Sequence, residues 1–91
     1  IIEEDLAWRF PGLALKLAEH ACAAQPDEAA NQDTLARVFY ALGLIDDAIA
    51  TQIRAVSLSP DDEDMRAVLD YYREVQTIRN TRQAAHSLLP R

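Results

Sequence analysis

The sequence has little glycine, proline or cysteine, and each shortage excludes a class of structure. Two glycines and four prolines in 91 residues are too few for the many turns of a β-sandwich. The single cysteine, Cys22, cannot form a disulfide within the chain and leaves the redox compartment open. No apolar run approaches the roughly 18 residues of a membrane helix, and no basic segment precedes a long apolar stretch as in a signal peptide. The sequence therefore predicts no membrane partner.

Basic residues are also in the minority, which argues against nucleic acid as a partner. Nine Lys and Arg stand against 15 Asp and Glu, for a net charge of -6 at pH 7, whereas nucleic-acid binding depends on cations that neutralise phosphates. The charges are unevenly spread. Residues 1–64 hold four bases and 13 acids, and residues 65–91 hold five arginines and two acids. The sequence thus predicts an acidic body with a basic C-terminal end.

Alanine and leucine are abundant, with 16 and 11 residues respectively. Both are strong helix formers, so a single all-α domain is the expected fold for a chain of this length. Because the chain opens Ile1-Ile2 without a methionine, we expect an excised domain or a processed fragment.

A repeat of 34 residues organises the chain. Pro26-Asp27-Glu28 recurs as Pro60-Asp61-Asp62, and two alanines of the first unit recur at the same interval in the second. A fixed period of this length is typical of helical arrays. We predict a partial repeat at residues 1–27, a complete repeat at 28–60, a capping helix at 61–87 and a tail at 88–91.

The complete repeat is predicted to form a helical hairpin. Asp27 is the expected N-cap of a first helix over residues 28–42, and Gly43 ends it, since a left-handed C-cap is easiest for glycine. A second helix follows over residues 46–58. A connection of about three residues requires the two helices to pack antiparallel. The inward side chains predicted from helical spacing are Leu35, Val38, Phe39 and Leu42 in the first helix and Ala48, Ile49, Gln52, Ala55 and Val56 in the second.

The flanking segments are predicted to be helical as well. One helix runs from Pro11 or Gly12 to Ala24, with a seam of small residues, and a truncated helix precedes it with Leu6, Ala7 and Trp8 on its apolar side. The acidic run 61–64 is interpreted as the N-cap and first turn of the last helix. This run lacks the glycine and oxygen spacing of an EF-hand loop, which argues against calcium. Core spacing in the last helix predicts burial of Met65, Val68, Leu69, Tyr72 and Val75.

The pattern of apolar, small and turn residues in the complete repeat resembles the tetratricopeptide repeat, a 34-residue helix–turn–helix unit. Two departures are Gln32, where the family usually has an aromatic residue, and Gln52, where a large apolar residue is common. The resemblance implies antiparallel helical hairpins, a fragment of an α-solenoid, with a long C-terminal capping helix. The matching residues are Leu35, Ala36, Phe39, Gly43, Ala48, Ala55 and Pro60.

A narrower resemblance extends over residues 5–52. Asp5-Leu6-Ala7-Trp8, the segment 15–21 and the segment 33–39 are similar to C-terminal repeat segments of larger bacterial proteins, some with an upstream thioredoxin-like domain. This likeness implies a missing N-terminal part. The domain is expected to be soluble, and whether it belongs to the bacterial cytoplasm or the periplasm is left open by the sequence. It also leaves open an accessory α-domain docked on an upstream catalytic domain.

No catalytic constellation is evident in the sequence. His20 and Cys22 are two residues apart on one helix and so point in different directions, which is wrong for a nucleophile–base pair or a shared metal. His86 is far away in sequence. The sequence has no Gly-rich phosphate loop, CxxC or HxxxH motif. We therefore predict a noncatalytic domain without a cofactor or a bound metal.

Repeat arrays expose a concave face built mainly from their first helices, and the resemblance implies a protein or peptide site there. The family's Lys/Asn clamp for acidic peptide C-termini is absent, which favours an extended, basic or aromatic segment. The alternative is structural: Arg37 pairs with Asp33 one turn earlier, and the tyrosines cover a hairpin. The candidate binding residues are Asp33, Arg37, Tyr40, Tyr71 and Glu74.

The end of the last helix offers a rival site. Its apolar face continues through Val75 and Ile78, and no acid follows residue 76. This end is predicted either to fray or to pack on a second copy of the chain. The candidate residues for such self-association are Val75, Ile78, Arg79 and Arg82.

Overall fold

A computed structural model describes residue 6 and residues 8–88 of the chain. Within that part, four helices are complete: α1 (Pro11–Ala24), α2 (Ala29–Ala41), α3 (Ile45–Leu58) and α4 (Glu63–Ser87). Residues 6, 8 and 9 are also helical, and the described residues include no β-strand. The all-α prediction is confirmed. The parts of the predicted elements at residues 1–5, 7 and 89–91 lie outside the described residues.

The start of α2 differs from the prediction that Asp27 is its N-cap. The N-cap is Glu28, whose side chain makes no capping hydrogen bond. The Glu28 N–H donates to Gln25 O at 3.2 Å, which closes a tight turn with Asp27 inside it. Because Asp27 sits within this turn, it lies one residue too early to cap the helix. The start of α1 is as predicted, with Pro11 in its first turn.

The turn between α2 and α3 is formed by Leu42, Gly43 and Leu44. Gly43 has a φ of +79°, the left-handed conformation that glycine adopts most easily. The N–H of Leu44 donates to Phe39 O at 2.9 Å, and that of Gly43 donates to Tyr40 O at 3.0 Å. This pair of bonds is the Schellman motif, which satisfies the last carbonyls of a helix. The three-residue connection folds α3 back against α2, and these two helices make the most extensive contact in the domain.

The acidic run 61–64 begins α4, as predicted. Asp62 is the N-cap, and its Oδ1 accepts a hydrogen bond from the Met65 N–H at 3.0 Å. Glu63 and Asp64 occupy the first turn, where carboxylates interact favourably with the positive end of the helix dipole. The helix then continues for 25 residues, or about 37 Å at 1.5 Å per residue.

The core forms mainly between helices that are consecutive in the chain, and Tyr72 of α4 also packs against α2. In one cluster Ala14 and Ala18 of α1 pack against Val38 of α2, and in the other Ala36 of α2 meets Ala48 of α3 and Tyr72 of α4. Alanines at these contacts let the helix backbones approach closely. Trp8 was predicted on the apolar side of the first, truncated helix, but it is 79% exposed and is not a core residue. None of the helices in the described residues combines the length and apolar character that a membrane crossing requires.

Candidate functional site

The five candidate binding residues lie on two helices. Asp33, Arg37 and Tyr40 follow one another at turn spacing along α2, and Tyr71 and Glu74 lie on α4. Residues at such spacing share one face of a helix. The structure brings Tyr40 and Tyr71 into direct contact across the two helices. Glu74 is exposed on α4 and does not line the pocket described below.

Three aromatic rings, Tyr40, Tyr71 and Tyr72, form a tyrosine cluster between α2 and α4. The rings of Tyr40 and Tyr72 are stacked, with centroids 4.9 Å apart and planes 19° apart. The Tyr71 ring is tilted against both, with centroids 5.7 Å from Tyr40 and 6.2 Å from Tyr72. Tyr72 is only 3% exposed, whereas Tyr71 is 51% exposed. The cluster therefore extends from the core to the surface.

The hydroxyls of Tyr40 and Tyr71 are hydrogen-bonded to each other, with the oxygens 2.9 Å apart. One hydroxyl donates and the other accepts, so the accepting hydroxyl keeps its own proton for a further partner. The hydrogen bond to Tyr71, and then burial, raise the pKa of the Tyr40 phenol. Tyr40 is therefore un-ionised at neutral pH and offers no negative charge.

A polar chain runs from Arg37 through Asp33 to Gln52 and joins three helices. Arg37 Nε donates to Asp33 Oδ2 at 3.1 Å, which is the intrahelical pair that the sequence offered as the structural alternative. Asp33 Oδ1 accepts a second bond from Gln52 Nε2 on α3 at 2.9 Å. The same Gln52 Nε2 donates to the Met65 carbonyl at the start of α4, at 3.0 Å. Asp33 therefore holds two donors at once, and its side chain is only 15% exposed.

Gln52 is the member of this polar chain whose hydrogen-bond partners were not predicted from the sequence. It is completely buried, in keeping with its predicted inward position. Its Oε1 has no hydrogen-bond partner among the described residues. The signal in the sequence was a polar side chain on the inner face of α3, where the repeat pattern usually has an apolar one. Such a residue needs buried partners, but their identity depends on how the helices are arranged.

An aromatic pocket of about 160 Å³ lies beside the tyrosine cluster. Its walls come from three separate helical segments: the one before α1, then α2, then α4. Sequence reasoning did not place Trp8 or Tyr72 in a binding site, because each was assigned to an apolar packing face. The lining residues are Trp8, Arg37, Tyr40, Ala41 and Tyr72.

A second, apolar groove of about 320 Å³ lies between α1 and α2. It is mainly aliphatic, with Leu6 and Leu17 among its walls and Asn31 and Thr34 as its polar side chains. Unlike the aromatic pocket, it has no charged or aromatic side chain among its described walls. The groove therefore offers bulk apolar contact without a feature that selects a ligand.

The candidate self-association residues fall on the second half of α4. Val75 is half-buried, and every residue from 77 to 88 is exposed, including Ile78 and Arg82. Arg79 Nη1 donates to Gly43 O at 3.3 Å, so it contacts the turn between α2 and α3. Nearby, Gln76 Nε2 donates to Asp46 Oδ1 at 2.7 Å. These two bonds attach the middle of α4 to the hairpin, beyond which the helix extends into solvent.

The residues with reactive side chains lie apart from the aromatic pocket. The Cys22 thiol is buried and donates to Asn31 O at 3.3 Å, and burial raises the pKa of this thiol. His20 and His86 are both exposed. In the part of the chain that the structure describes, no three His, Cys, Asp or Glu side chains come together as metal ligands would.

No protein-family model, curated protein or solved structure matches this chain. Its function is therefore inferred from the surfaces described above. Of these, the aromatic pocket is the one where chemically distinctive side chains from distant parts of the sequence converge.

Proposed function

We propose that this domain is a noncatalytic protein-interaction module of the tetratricopeptide kind. It binds a peptide or protein segment on the surface around the aromatic pocket. The α2–α3 hairpin with its three-residue turn supports the repeat assignment, as does Gly43 at the turn position of the repeat pattern. The packing of α4 on α3 supports it further, because repeat arrays add each helix to the one before it.

The observation that carries the proposed function is the convergence of Trp8, Tyr40 and Tyr72 on one open pocket. Tyr, Trp and Arg are the residue types most enriched among those that dominate binding energy at protein interfaces. The side chains of Tyr and Trp provide large contact areas and lose little conformational entropy on binding. Trp8 and Tyr71 are exposed in the free domain, and a bound segment would cover both rings.

The test uses an affinity pull-down with the wild-type domain and two surface variants, Tyr71→Ala and Arg37→Glu. We expect both variants to lose at least one protein that the wild type retains reproducibly. Tyr71 is half-exposed, so its truncation should leave helicity and melting temperature nearly unchanged. Arg37→Glu carries more risk to folding because it places a second carboxylate beside Asp33, and its melting curve must therefore be recorded as well.

Matched controls separate the proposed surface from general effects. Arg54→Glu makes the same charge change on the exposed side of α3, and Ile53→Ala removes an exposed apolar side chain from that helix. Both controls should keep every partner that the wild type keeps. Equal recovery by the wild type, Tyr71→Ala and Arg37→Glu would rule out the aromatic pocket as the binding surface.

A second candidate function is self-association through the end of α4, at Val75, Ile78, Arg79 and Arg82. The observation in its favour is the uninterrupted exposure of residues 77–88, a basic stretch in a chain whose first 64 residues are strongly acidic. Sedimentation velocity should then show a dimer that dissociates when residues after Val75 are deleted. Ile78→Asp should weaken the dimer, and Asn80→Asp, an equal change in charge at an exposed residue that points away from Ile78 on the helix, provides the control. A monomer at all concentrations would exclude this function.

A further inference from the structure

The volume of the aromatic pocket limits what it can bind. A buried apolar cavity of about 150 Å³ in another protein holds one benzene molecule, and this pocket measures about 160 Å³. It therefore has room for one ring or one branched side chain. An extended peptide must lie across the surface and insert a single residue.

The pocket walls favour an aromatic ring over an aliphatic side chain. Three of the five lining residues, Trp8, Tyr40 and Tyr72, are aromatic. Tyr40 and Tyr72 are already stacked at 4.9 Å, and because Tyr72 is buried, this contact holds the Tyr40 ring in place before a ligand arrives. Aromatic rings gain from offset-stacked and edge-to-face contacts in addition to area burial. A pre-ordered aromatic wall makes this gain available with little reorganisation.

The charges around the pocket exclude an ionic ligand. Arg37 lines the pocket, and the Asp33 carboxylate lies 3.1 Å from its Nε. The two charges form an ion pair that is close to neutral overall, so neither a cation nor an anion meets a full opposite charge beside the pocket. Burying a charged ligand without a compensating charge is costly, so the site selects an uncharged group.

We propose that the aromatic pocket is an anchor site for one uncharged aromatic side chain, such as phenylalanine, of a partner segment. The origin of that side chain in a protein partner rests on the proposed function above. The selectivity for a neutral ring follows from the pocket itself and is tested without any partner.

The experiment titrates the full chain with three small probes that share one phenyl ring. N-acetylphenylalaninamide is neutral, phenylalaninamide is cationic at pH 6.5, and N-acetylphenylalanine is anionic there. Binding is followed by two-dimensional amide NMR in about 0.15 M salt, which screens the field of the acidic body. Trp8 is the one tryptophan of the chain, so a single indole N–H signal reports directly on the pocket.

We expect saturable shifts of the Trp8 indole and of the Arg37, Tyr40, Ala41 and Tyr72 amides with the neutral probe. A dissociation constant on the order of millimolar suits a ligand of this size. The two charged probes should bind at least about fivefold more weakly. Trp8→Ala should weaken the neutral probe by a similar factor, whereas Phe10→Ala, which removes an exposed ring outside the pocket, should leave its affinity unchanged.

Three results would overturn the inference: no saturable shift with the neutral probe, shifts confined to the apolar groove at Leu17 and Thr34, or equal or tighter binding of a charged probe.

The outcome of the probe titration is independent of the pull-down. A pocket that binds the neutral probe while Tyr71→Ala and Arg37→Glu both keep every partner would uphold the selectivity and refute the interaction surface. A pocket that binds no probe while Tyr71→Ala loses its partner would refute the selectivity and uphold the interaction surface.

Discussion

The two halves of α4 have the same secondary structure but very different surroundings. In the first half, Asp62 caps the helix, the Met65 carbonyl accepts from Gln52, and Leu69 and Tyr72 are buried. In the second half, residues 77–88 are all exposed. The backbone hydrogen bonds of a helix are only marginally stabilising by themselves, and most helical stability in proteins comes from the packing of buried side chains. Stability should therefore depend on residues 63–75 far more than on residues 76–87.

The largest effect is expected from Tyr72→Ala. Tyr72 is almost fully buried against Ala36, Ala48 and Tyr40, so its truncation should lower the free energy of unfolding by about 3–5 kcal/mol. The measurement is urea denaturation followed by circular dichroism. Ile78→Ala, on the exposed half, should cost less than about 1 kcal/mol. Similar losses for the two variants would contradict the contrast between the halves.

Gln52→Ala is expected to have the next largest effect. It removes the donor shared by Asp33 and the Met65 carbonyl and leaves a small cavity, for a predicted loss of about 2–3 kcal/mol. Gln83→Ala makes the same chemical change on the exposed half and should change the free energy of unfolding by less than about 0.5 kcal/mol. If Gln52→Ala and Gln83→Ala lowered the free energy of unfolding equally, the polar chain would not contribute to the attachment of α4.

A smaller effect is expected from Asp62→Ala at the start of the attached half. The lost N-cap bond to the Met65 N–H should reduce stability by about 1 kcal/mol. The neighbouring Asp61→Ala removes an exposed carboxylate of the same charge outside the helix and should be close to neutral. Thermal unfolding of both variants at pH 7 distinguishes loss of the cap from loss of charge.

The smallest effect is expected from ending the chain after Arg79. This truncation keeps the bonds of Gln76 to Asp46 and of Arg79 to Gly43. The free energy of unfolding should change by less than about 0.5 kcal/mol, since the described residues that the truncation removes, 80–88, are all exposed, and exposed residues contribute little. Urea denaturation at equal protein concentration provides the measurement. A loss above about 1 kcal/mol would show that the exposed half is covered in solution.

The sequence was most informative where local chemistry decides the outcome. Pro11, Gly43 and the acidic run before α4 placed helix ends within about two residues, because their effects on backbone dihedrals and on helix dipoles are local. The Arg37–Asp33 pair is local for the same reason. Asp27 was the wrong N-cap, because capping depends on the backbone geometry of the preceding turn, which residue type alone does not determine.

The site was harder to predict because its parts are far apart in the chain. Tyr40 and Tyr71 were singled out through the repeat resemblance, but their hydrogen bond joins residues 31 positions apart. Trp8 entered the prediction only as a packing residue, since its spacing carries no information on which neighbours surround it. Glu74 was predicted from the same helix face as Tyr71, yet the residue of α4 that lines the pocket is Tyr72. Side chains one residue apart on a helix point about 100° from each other, so a small error in orientation exchanges them.

Gln52 also has a consequence for the uniqueness of the fold. Apolar side chains such as those of alanine gain nearly the same contact energy if two helices slide along each other by one turn. Two directional bonds from one amide, to Asp33 and to the Met65 carbonyl, are satisfied in only one alignment of the three helices. A single polar residue inside a helical core can fix such an alignment at some cost in stability. We expect Gln52→Leu to preserve helix content while α4 samples more than one register, visible as broadened NMR signals.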